Sequence, residues 1–402
     1  MKIEQLDQEP VIGEAALAAL QLPPLEAWTL PPSAYWSEEA YRAELEHIFY
    51  KEWTCIGRVE DMPEVGDFST HAIATESVIV VHDSENQLRA HLNVCRHRGC
   101  QLVSGSGKTK AFRCPYHGWM YALNGELRGA PDFKETVGFS KKDFSLHPVQ
   151  LEIWEGFVLV NLDSTAGPFH ERVSDVKLWG LQHYGIDTQI TTHRWRYELD
   201  CNWKTYVENY IEEYHVPWVH SDTLQPLTPM KSHVEFPELS PQQWDIVVAQ
   251  SPGMTLSDSG DALFPVSPDI GKISPEFLGL PIWMCYPAFG VIPMLDCTLY
   301  YNLLPLGPES CELRIGMTLP ATAAAALEDE DQRAVAAAEE YERNVESFVK
   351  QDNDICVRQQ LGLRSLKAGS GRFCKHEGLA WKFDNWVART AYSPNGRATP
   401  SD

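Results

Sequence analysis

The chain has 402 residues, and its 33 Lys and Arg against 56 Asp and Glu give a formal net charge of −23 at pH 7. This excess of acids argues against a nucleic-acid-binding surface and against docking on anionic lipid. No run of 18 apolar residues occurs, and the start, MKIEQLDQEP, lacks the basic and apolar parts of a signal peptide. We therefore expect a cytoplasmic protein with no membrane or nucleic-acid partner.

The predicted elements change character along the chain. Residues 21–36 predict an extended arm, and SEEAYRAELEHIFYKEW after them predicts a helix with Ser37 as its N-cap. From about 55 to 165, short runs such as SVIVVH, LRAHLNV and GFVLVNL predict a small all-β module. Residues 166–402 mix strand runs such as HRWRYELDCN and CTLYYNLLPLG with one helix through AAAALEDEDQRAVAAAEEYERNVESFV.

Two short motifs in the β module carry metal-ligand chemistry. CRHRGCQLV (95–103) contains Cys95 and His97, and CPYHGW (114–119) contains Cys114 and His117. The ten cysteines of this large chain favour reduced thiols and metal ligation over a disulfide framework. Two thiolates and two imidazoles could bind zinc, or they could hold a [2Fe–2S] cluster in which two His replace two Cys on one iron.

The sequences CRHRGCQLV and CPYHGWMYALNGEL resemble the Rieske signature of ring-hydroxylating oxygenases. That resemblance implies a Rieske [2Fe–2S] cluster held by Cys95, His97, Cys114 and His117. Respiratory-type Rieske proteins carry an extra Cys in each cluster loop, and the two are joined as a disulfide. Here Tyr116 occupies the second of those positions, so we expect no disulfide between the loops.

A second motif, NWKTYVENYIEEYHVPWVH (202–220), resembles the catalytic motif of the same oxygenases. On a continuous helix His215 and His220 would lie about 140° apart, so both could not face one metal. Pro217 predicts a helix end or bend between them. Two His and a carboxylate are the ligands of a mononuclear Fe(II) oxygenase. The alternative is an amphipathic helix whose two His lie on its polar face.

The family takes its carboxylate ligand from a downstream helix, with a Gln eight residues after the ligand Asp. In FVKQDNDICVRQQLGL, Gln360 follows Asp352 by eight residues, so the resemblance implies that Asp352 is the ligand. Asp354 is the second candidate. Either Asp could instead belong to a solvated helix face.

Helix phase selects Glu212 as a further site residue. Glu212 precedes His215 by three residues and shares its face, whereas Glu213 points away and is expected to be a plain surface acid. The resemblance implies that an acid here hydrogen-bonds an iron-ligand His and a Rieske His of the neighbouring subunit, which assigns Glu212 to His215 and, across the interface, to His117. The Glu form resembles enzymes that act on quaternary amines such as carnitine, choline and glycine betaine.

The resemblance implies an α+β protein: an all-β Rieske [2Fe–2S] domain and a helix-grip (START-like) catalytic domain built on an antiparallel sheet. We expect residues 46–165 to form the Rieske domain, 166–402 to form the catalytic domain, and 1–45 to be an arm and helix of the latter. Such a chain would be a homotrimeric terminal oxygenase that uses O2 to hydroxylate or N-demethylate a small organic substrate. Its electrons would come from NAD(P)H through a separate reductase, because the chain has no dinucleotide or flavin fingerprint.

Three alternatives stay open at this point. The substrate could be an aromatic acid or ring, the protein could be a Rieske electron carrier without oxygenase activity, or the iron site could be dead. A group of aromatic residues could form a cation–π box for a trimethylammonium group, or could simply be core; they are Phe264, Trp283, Tyr286 and Phe289.

Overall fold

The structure is a computed structural model that describes residues 11–175, 180–235, 244–249, 255–274 and 279–393. The chain divides into two compact units. The small unit is Phe49–Arg172, and the large unit comprises Met1–Ile48 and Val173–Asp402. Much of the Pro- and Gly-rich stretch predicted at 252–281 is described, but 252–254 and 275–278 lie outside the described residues.

The helices of the described residues lie mainly in the large unit. In chain order they are α1 (Glu14–Leu20), α2 (Glu38–Glu44), α3 (Phe169–Arg172), α4 (Trp203–Ile211), α5 (Val216–Val219), α6 (Leu224–Leu227), α7 (Ala321–Glu328), α8 (Gln332–Leu363) and α9 (Gly378–Val387).

The small unit contains a seven-stranded sheet of order β1-β10-β9-β4-β3-β2-β5 and a three-stranded sheet of order β6-β7-β8. Every strand pairing is antiparallel. The strands are β1 (Thr54–Arg58), β2 (Asp67–Ile73), β3 (Glu76–His82), β4 (Leu88–Leu92), β5 (Ser106–Lys108), β6 (Phe112–Arg113), β7 (Met120–Tyr121), β8 (Leu127–Gly129), β9 (Pro148–Trp154) and β10 (Phe157–Asn161).

The large unit contains one antiparallel seven-stranded sheet of order β11-β17-β16-β15-β14-β13-β12. Helix α4 contacts four of these strands, and α8 contacts α4 and β11. This arrangement of an antiparallel sheet and a long helix confirms the predicted α+β fold. The strands are β11 (Gln189–Leu199), β12 (His233–Glu235), β13 (Trp244–Ala249), β14 (Leu280–Cys285), β15 (Phe289–Pro293), β16 (Thr298–Gly307) and β17 (Ser310–Pro320).

Side-chain caps fix where the functional helices begin. Ser37 caps α2 by accepting a hydrogen bond from the Ala40 N–H at 3.1 Å, as the sequence predicts. Asn202 caps α4 in the same way, because its side chain accepts from the Lys204 N–H at 2.9 Å.

The single helix predicted through AAAALEDEDQRAVAAAEEYERNVESFV is wrong, because the structure divides it into α7 and α8. Asp331 caps α8 by accepting from the N–H groups of Arg333 and Ala334, both at 3.0 Å. Glu330, just before the cap, has a left-handed backbone with φ 56°. A cluster of acids that can bond to nearby backbone N–H groups competes with continued helix, and here it ends one helix and starts the next.

A fully buried ion pair anchors α4 to α2. Lys204 Nζ lies 2.5 Å from Glu44 Oε1, and both side chains are 0 % exposed. Glu44 also accepts from Trp203 Nε1 at 2.7 Å and from the Tyr392 hydroxyl, and Lys204 donates to Asn202 Oδ1 at 2.8 Å. Every charged atom of the pair is therefore hydrogen-bonded, which is the condition for a buried pair to be tolerated.

Replacing Lys204 should be strongly destabilising. Lys204→Ala leaves the Glu44 carboxylate buried without its counter-charge, so we expect a loss of about 3–5 kcal/mol in the free energy of unfolding. The matched control is Lys272→Ala, because Lys272 pairs with Asp269 at 2.7 Å with side chains 61 % and 47 % exposed. That variant should lose less than about 1 kcal/mol. Urea unfolding followed by circular dichroism measures both, and equal losses would contradict the assignment.

Candidate functional site

The two Cys/His loops of the small unit have the same backbone design. Gly99 donates its N–H to the Cys95 carbonyl at 2.9 Å, and Gly118 donates to the Cys114 carbonyl at 3.0 Å. Both glycines have φ +71°, a left-handed conformation that a side chain would strain. Each loop is thereby closed four residues after its Cys, with its His inside the turn.

The thiols and the imidazoles of these loops face different surroundings. Cys95 and Cys114 are each 2 % exposed and neighbour each other in the core of the small unit. The His97 and His117 rings lie together with centroids 4.7 Å apart, and His117 is exposed. The arrangement presents a buried thiol pair and an outer imidazole pair.

This set of two thiols and two imidazoles fits a two-iron cluster. A thiolate pair on one iron and an imidazole pair on the other is the Rieske arrangement.

Neighbouring aromatic residues hold the loop ligands in place. The Tyr121 hydroxyl accepts the Arg96 N–H at 3.0 Å and lies 3.3 Å from Cys95 Sγ. Burial raises the pKa of Tyr121, so the phenol stays protonated and can donate to the sulfur. The His97 ring stacks on Trp119 at 5.0 Å, with an interplanar angle of 8°.

Tyr116, at the position where respiratory-type Rieske proteins carry the second extra Cys, packs against His117. The Tyr116 ring lies 3.7 Å from the His117 ring, centroid to centroid, and Cys100 is a free cysteine.

In the large unit, His215, His220 and Asp352 come together. Their ligand atoms all lie within 4.8 Å of one another. Asp352 Oδ1 is 2.8 Å from His220 Nε2 and 3.7 Å from His215 Nε2. Adjacent ligands on one metal ion, each bonded at about 2.1 Å, would be roughly 3 Å apart, so this set fits a metal with open positions. Asp354, the second candidate, is exposed on α8.

The local backbone that produces this geometry differs from the prediction. Helix α4 ends at Ile211, and Glu212 is extended, with φ −119° and ψ 150°. The single-turn helix α5 then begins after His215 and ends before His220. Pro217 therefore does not break a helix between the two His. It lies in the first turn of α5, where its missing N–H has no intrahelical partner to lose.

Neighbouring residues orient both imidazoles so that their Nε2 atoms face Asp352. His215 Nδ1 lies 2.7 Å from Glu212 Oε1, and His220 Nδ1 lies 2.8 Å from Gln351 Oε1. Partners of this kind fix the ring orientation and the tautomer of a ligand His.

A residue of α4 holds the Asp352 carboxylate in place. Asn209 Nδ2 donates to Asp352 Oδ1 at 3.0 Å. Gln360, whose spacing from Asp352 selected that residue in the sequence, does not contact His215, His220 or Asp352. Its side-chain oxygen accepts from the Asn202 N–H at 3.0 Å at the start of α4.

The two adjacent glutamates have different surroundings. Glu212 also accepts the His215 backbone N–H at 3.1 Å. Burial lowers the pKa of His215, but the hydrogen bond and charge of Glu212, with the charges of Asp352 and Glu213, outweigh it, and that pKa is raised. The expectation that Glu213 is a surface acid is wrong, because it is only 5 % exposed. Helix phase does not apply to either residue, since α4 has already ended.

A cavity of about 430 Å³ in the large unit opens onto the three-residue group. Five acids line it, and no Lys or Arg does among the residues that the structure describes. The acids are Glu212, Glu213, Asp222, Asp258 and Asp352, and the aromatic lining residues are Tyr206, Tyr210, Tyr301 and Phe348.

Of the two alternatives for the group of four aromatic residues, a cation–π box or core, the structure supports core. All four members of the group are buried in the core and do not line the cavity, with exposures of 7 % or less; they are Phe264, Trp283, Tyr286 and Phe289. On β14, Leu280 and Ile282 line the cavity, so the alternation of side chains turns Trp283 to the other face. The sequence signal that we missed is the spacing of Tyr206 and Tyr210, one helical turn apart on α4.

Gly290 makes room for one of these tyrosines. A Cβ on Gly290 would lie 2.6 Å from the Tyr210 ring and hydroxyl, so only glycine lets β15 approach α4 this closely. The Tyr210 hydroxyl donates to the Trp283 carbonyl at 3.3 Å, and its ring meets Tyr301 edge-on at 5.0 Å.

Within the described ranges, no helix combines the length and apolar character needed to cross a bilayer.

Comparisons with known proteins agree with the two centres. Residues 52–146 match the family model of the Rieske [2Fe-2S] domain, and residues 187–392 match that of the ring hydroxylating alpha subunit catalytic domain. These two domains imply a Rieske cluster and a mononuclear iron as cofactors.

Relatives extend the likeness over most of the chain. Choline monooxygenase of Beta vulgaris is 29 % identical over 368 residues, 88 % of this chain and 74 % of that protein. The carnitine monooxygenase oxygenase subunit of Escherichia coli (strain K12) is 35 % identical over 212 residues, 50 % of this chain and 55 % of that protein. A solved quaternary ammonium Rieske monooxygenase, studied for carnitine oxidation and inter-subunit electron transfer, superposes with a TM-score of 0.77 at 25 % identity. That match covers 93 % of this chain and 98 % of the other.

The Cys/His loops, the His/His/Asp group and the family match over residues 187–392 lead to one conclusion: the chain belongs to the ring-hydroxylating oxygenase α-subunit family and carries a Rieske [2Fe–2S] domain.

Proposed function

We propose that this oxygenase oxidises a small quaternary ammonium compound, by hydroxylation or N-demethylation. The observation that carries the proposal is the wall of the cavity, which five acids and four aromatic residues line and to which no Lys or Arg contributes among the described residues. The segments 236–243, 250–254 and 275–278, which follow or interrupt lining segments, contain no Lys or Arg in the sequence either. Choline and carnitine monooxygenases among the relatives support the same substrate class.

Each centre has a proposed set of ligands. In the small unit, corresponding to the domain expected at 46–165, Cys95, Cys114, His97 and His117 hold the Rieske cluster. In the large unit, His215, His220 and Asp352 would hold the mononuclear iron, which would supply O2 activation. The cavity would hold the substrate beside these three residues.

Glu212 is proposed to connect the two centres. Its Oε1 atom already orients the His215 ring at 2.7 Å. Its Oε2 atom accepts the His215 backbone N–H at 3.1 Å. Each carboxylate oxygen has a second lone pair, so Glu212 can also accept from the His117 ring of a neighbouring subunit. The comparison structure associated with inter-subunit electron transfer supports such a contact. A homotrimer with head-to-tail contacts satisfies it for every copy, because such an interface closes into a ring.

The proposed partners are a separate NAD(P)H-dependent reductase, O2 and the substrate, and the proposed location is the cytoplasm. The reductase follows from the lack of a dinucleotide or flavin fingerprint in the sequence. A Rieske electron carrier would need only the small unit, and the His/His/Asp group argues against that alternative.

Substrate class can be measured directly. Chemically reduced enzyme given O2 in a single turnover should form product from choline, carnitine or glycine betaine at least about tenfold faster than from benzoate. Each of the three offers a cation to the acids of the wall, whereas benzoate is an anion with no cationic group. Mass spectrometry of the products makes the comparison. If benzoate is converted and none of the three ammonium compounds is, the proposal is contradicted and an aromatic acid is favoured as the substrate.

The iron ligand can be tested by metal analysis. Asp352→Ala should lower the iron content from about three to about two per chain while the Rieske absorption spectrum stays unchanged, because the two centres share no ligand. Asp354→Ala is the matched control on the exposed face of α8, and it should keep all of its iron. The reverse result would move the ligand by two residues.

The role of Glu212 can be separated from metal binding. Glu212→Gln keeps the shape of the side chain but removes its charge, so oxidation of the reduced cluster in a single turnover should slow about 10- to 100-fold. Both metals should remain bound in the same samples. Glu328→Gln, an exposed acid at the end of α7, should change neither quantity. An unchanged rate in the Glu212 variant would show that it does not connect the centres.

A further inference from the structure

Glu213 is a buried carboxylate in the wall of the cavity. It is 5 % exposed, and its nearest basic group is His233, the first residue of β12, with Oε1 3.5 Å from Nδ1. The His233 side chain is 3 % exposed. Among the described residues, neither Glu213 Oε1 nor either ring nitrogen of His233 has a hydrogen-bond partner. Buried polar atoms without a protein partner are uncommon, and each calls for a partner such as a water or a ligand.

Two of the other four acids of the wall belong to the proposed iron site. Glu212 accepts from His215 at 2.7 Å. Asp352 accepts from Asn209 at 3.0 Å and lies 2.8 Å from His220.

The remaining two acids are compensated by solvent or by the protein. Asp222 is exposed to solvent. Asp258 is 67 % exposed, and it accepts from Arg343 and from Asn344, both at 3.0 Å. Glu213 is therefore the acid of the wall that is both buried and without a Lys or Arg within 4.0 Å among the described residues.

A carboxylate in this position favours a cation in the cavity. Burying a charge without a counter-charge is costly, and a cation in contact with it removes much of that cost. Glu213 precedes His215 by two residues, and both line the cavity together with His220 and Asp352. A cation beside Glu213 is therefore beside the proposed iron ligands, where the reacting carbon must lie.

A quaternary ammonium group has no N–H, so charge and aromatic faces are the contacts it can make. Tyr210 and Tyr301 line the same cavity with ring centroids 5.0 Å apart and add such faces. We propose that Glu213, which lies beside His233, is the counter-charge that selects a cationic substrate over its neutral isostere; this rests on the proposed function.

The test compares choline with 3,3-dimethylbutan-1-ol, which has the same shape with carbon in place of the charged nitrogen. Isothermal titration calorimetry on the enzyme loaded with both metals gives the two affinities. We expect the wild-type chain to bind choline at least about tenfold more tightly than the alcohol, as close charge pairs do. In Glu213→Gln that ratio should fall to within about threefold, while the affinity for the alcohol changes less than about twofold.

Two further variants complete the design. Glu213→Asp keeps the charge at a greater distance, so its ratio should lie between those of the wild type and Glu213→Gln. Glu328→Gln, exposed and outside the cavity, should keep the wild-type ratio. Binding of the alcohol reports whether each variant still forms the cavity.

The outcomes separate this inference from the proposed function. If wild type prefers choline and Glu213→Gln prefers it equally, or loses both ligands in the same proportion, Glu213 is not the counter-charge, although the proposed function stands. If the wild-type chain binds benzoate and binds none of the three ammonium compounds choline, carnitine and glycine betaine, the proposed function fails. This inference then fails with it.

Discussion

The hydrogen bond from Asn209 to Asp352 joins the two helices on which the catalytic centre depends. Helix α4 leads directly into Glu212 and His215, and α8 supplies Asp352 and Gln351. The geometry of the centre is therefore set by how these two helices pack. The buried pair of Lys204 with Glu44 fixes the start of α4. Gln360 accepts from the Asn202 N–H there, so it links α8 to the same helix end. A shift of α4 along α8 would have to break these bonds together.

The two centres follow the same physical logic. In each, a short turn fixes the spacing of two proposed ligands that are close in sequence, and a distant element completes the proposed set. In the small unit, Gly99 and Gly118 close the turns with left-handed backbone. In the large unit, the single turn of α5 holds His215 and His220 at its two ends. Short, self-closed turns are suitable for this purpose because their geometry does not depend on packing elsewhere.

The contrast between short local turns and distant elements explains how much could be predicted from the sequence. The fold class and the candidate ligands of both centres could be predicted, because Cys/His spacing and turn residues are local signals and the family register placed Asp352. The course of the backbone between Ile211 and His220 was harder to predict from the sequence. Pro217 was expected to break a helix that had already ended at Ile211, because nothing local distinguishes NYIEE as helix from helix end.

Properties that depend on tertiary contacts were predicted poorly. The sequence left open whether Trp283 lines the cavity or belongs to the core, and strand alternation turns it into the core while Ile282 faces the cavity. The sequence shows that β14 alternates, but it does not show which face the cavity lies on. Glu213 was expected at the surface for a related reason. Its burial comes from β12, whose His233 lies twenty residues further along the chain.

The cavity also shows why net charge is a weak guide to the substrate. The chain carries −23 overall, yet most of its acids lie in solvent, where water and salt screen them. Within the cavity, Asp222 and Asp258 are screened in the same way, and Asp352 and Glu212 already have partners. Selectivity for a cation would then depend on one carboxylate, Glu213, because a charge with little water around it acts on a ligand more strongly than many exposed charges do. The fold provides this condition where a strand edge covers the turn between α4 and α5.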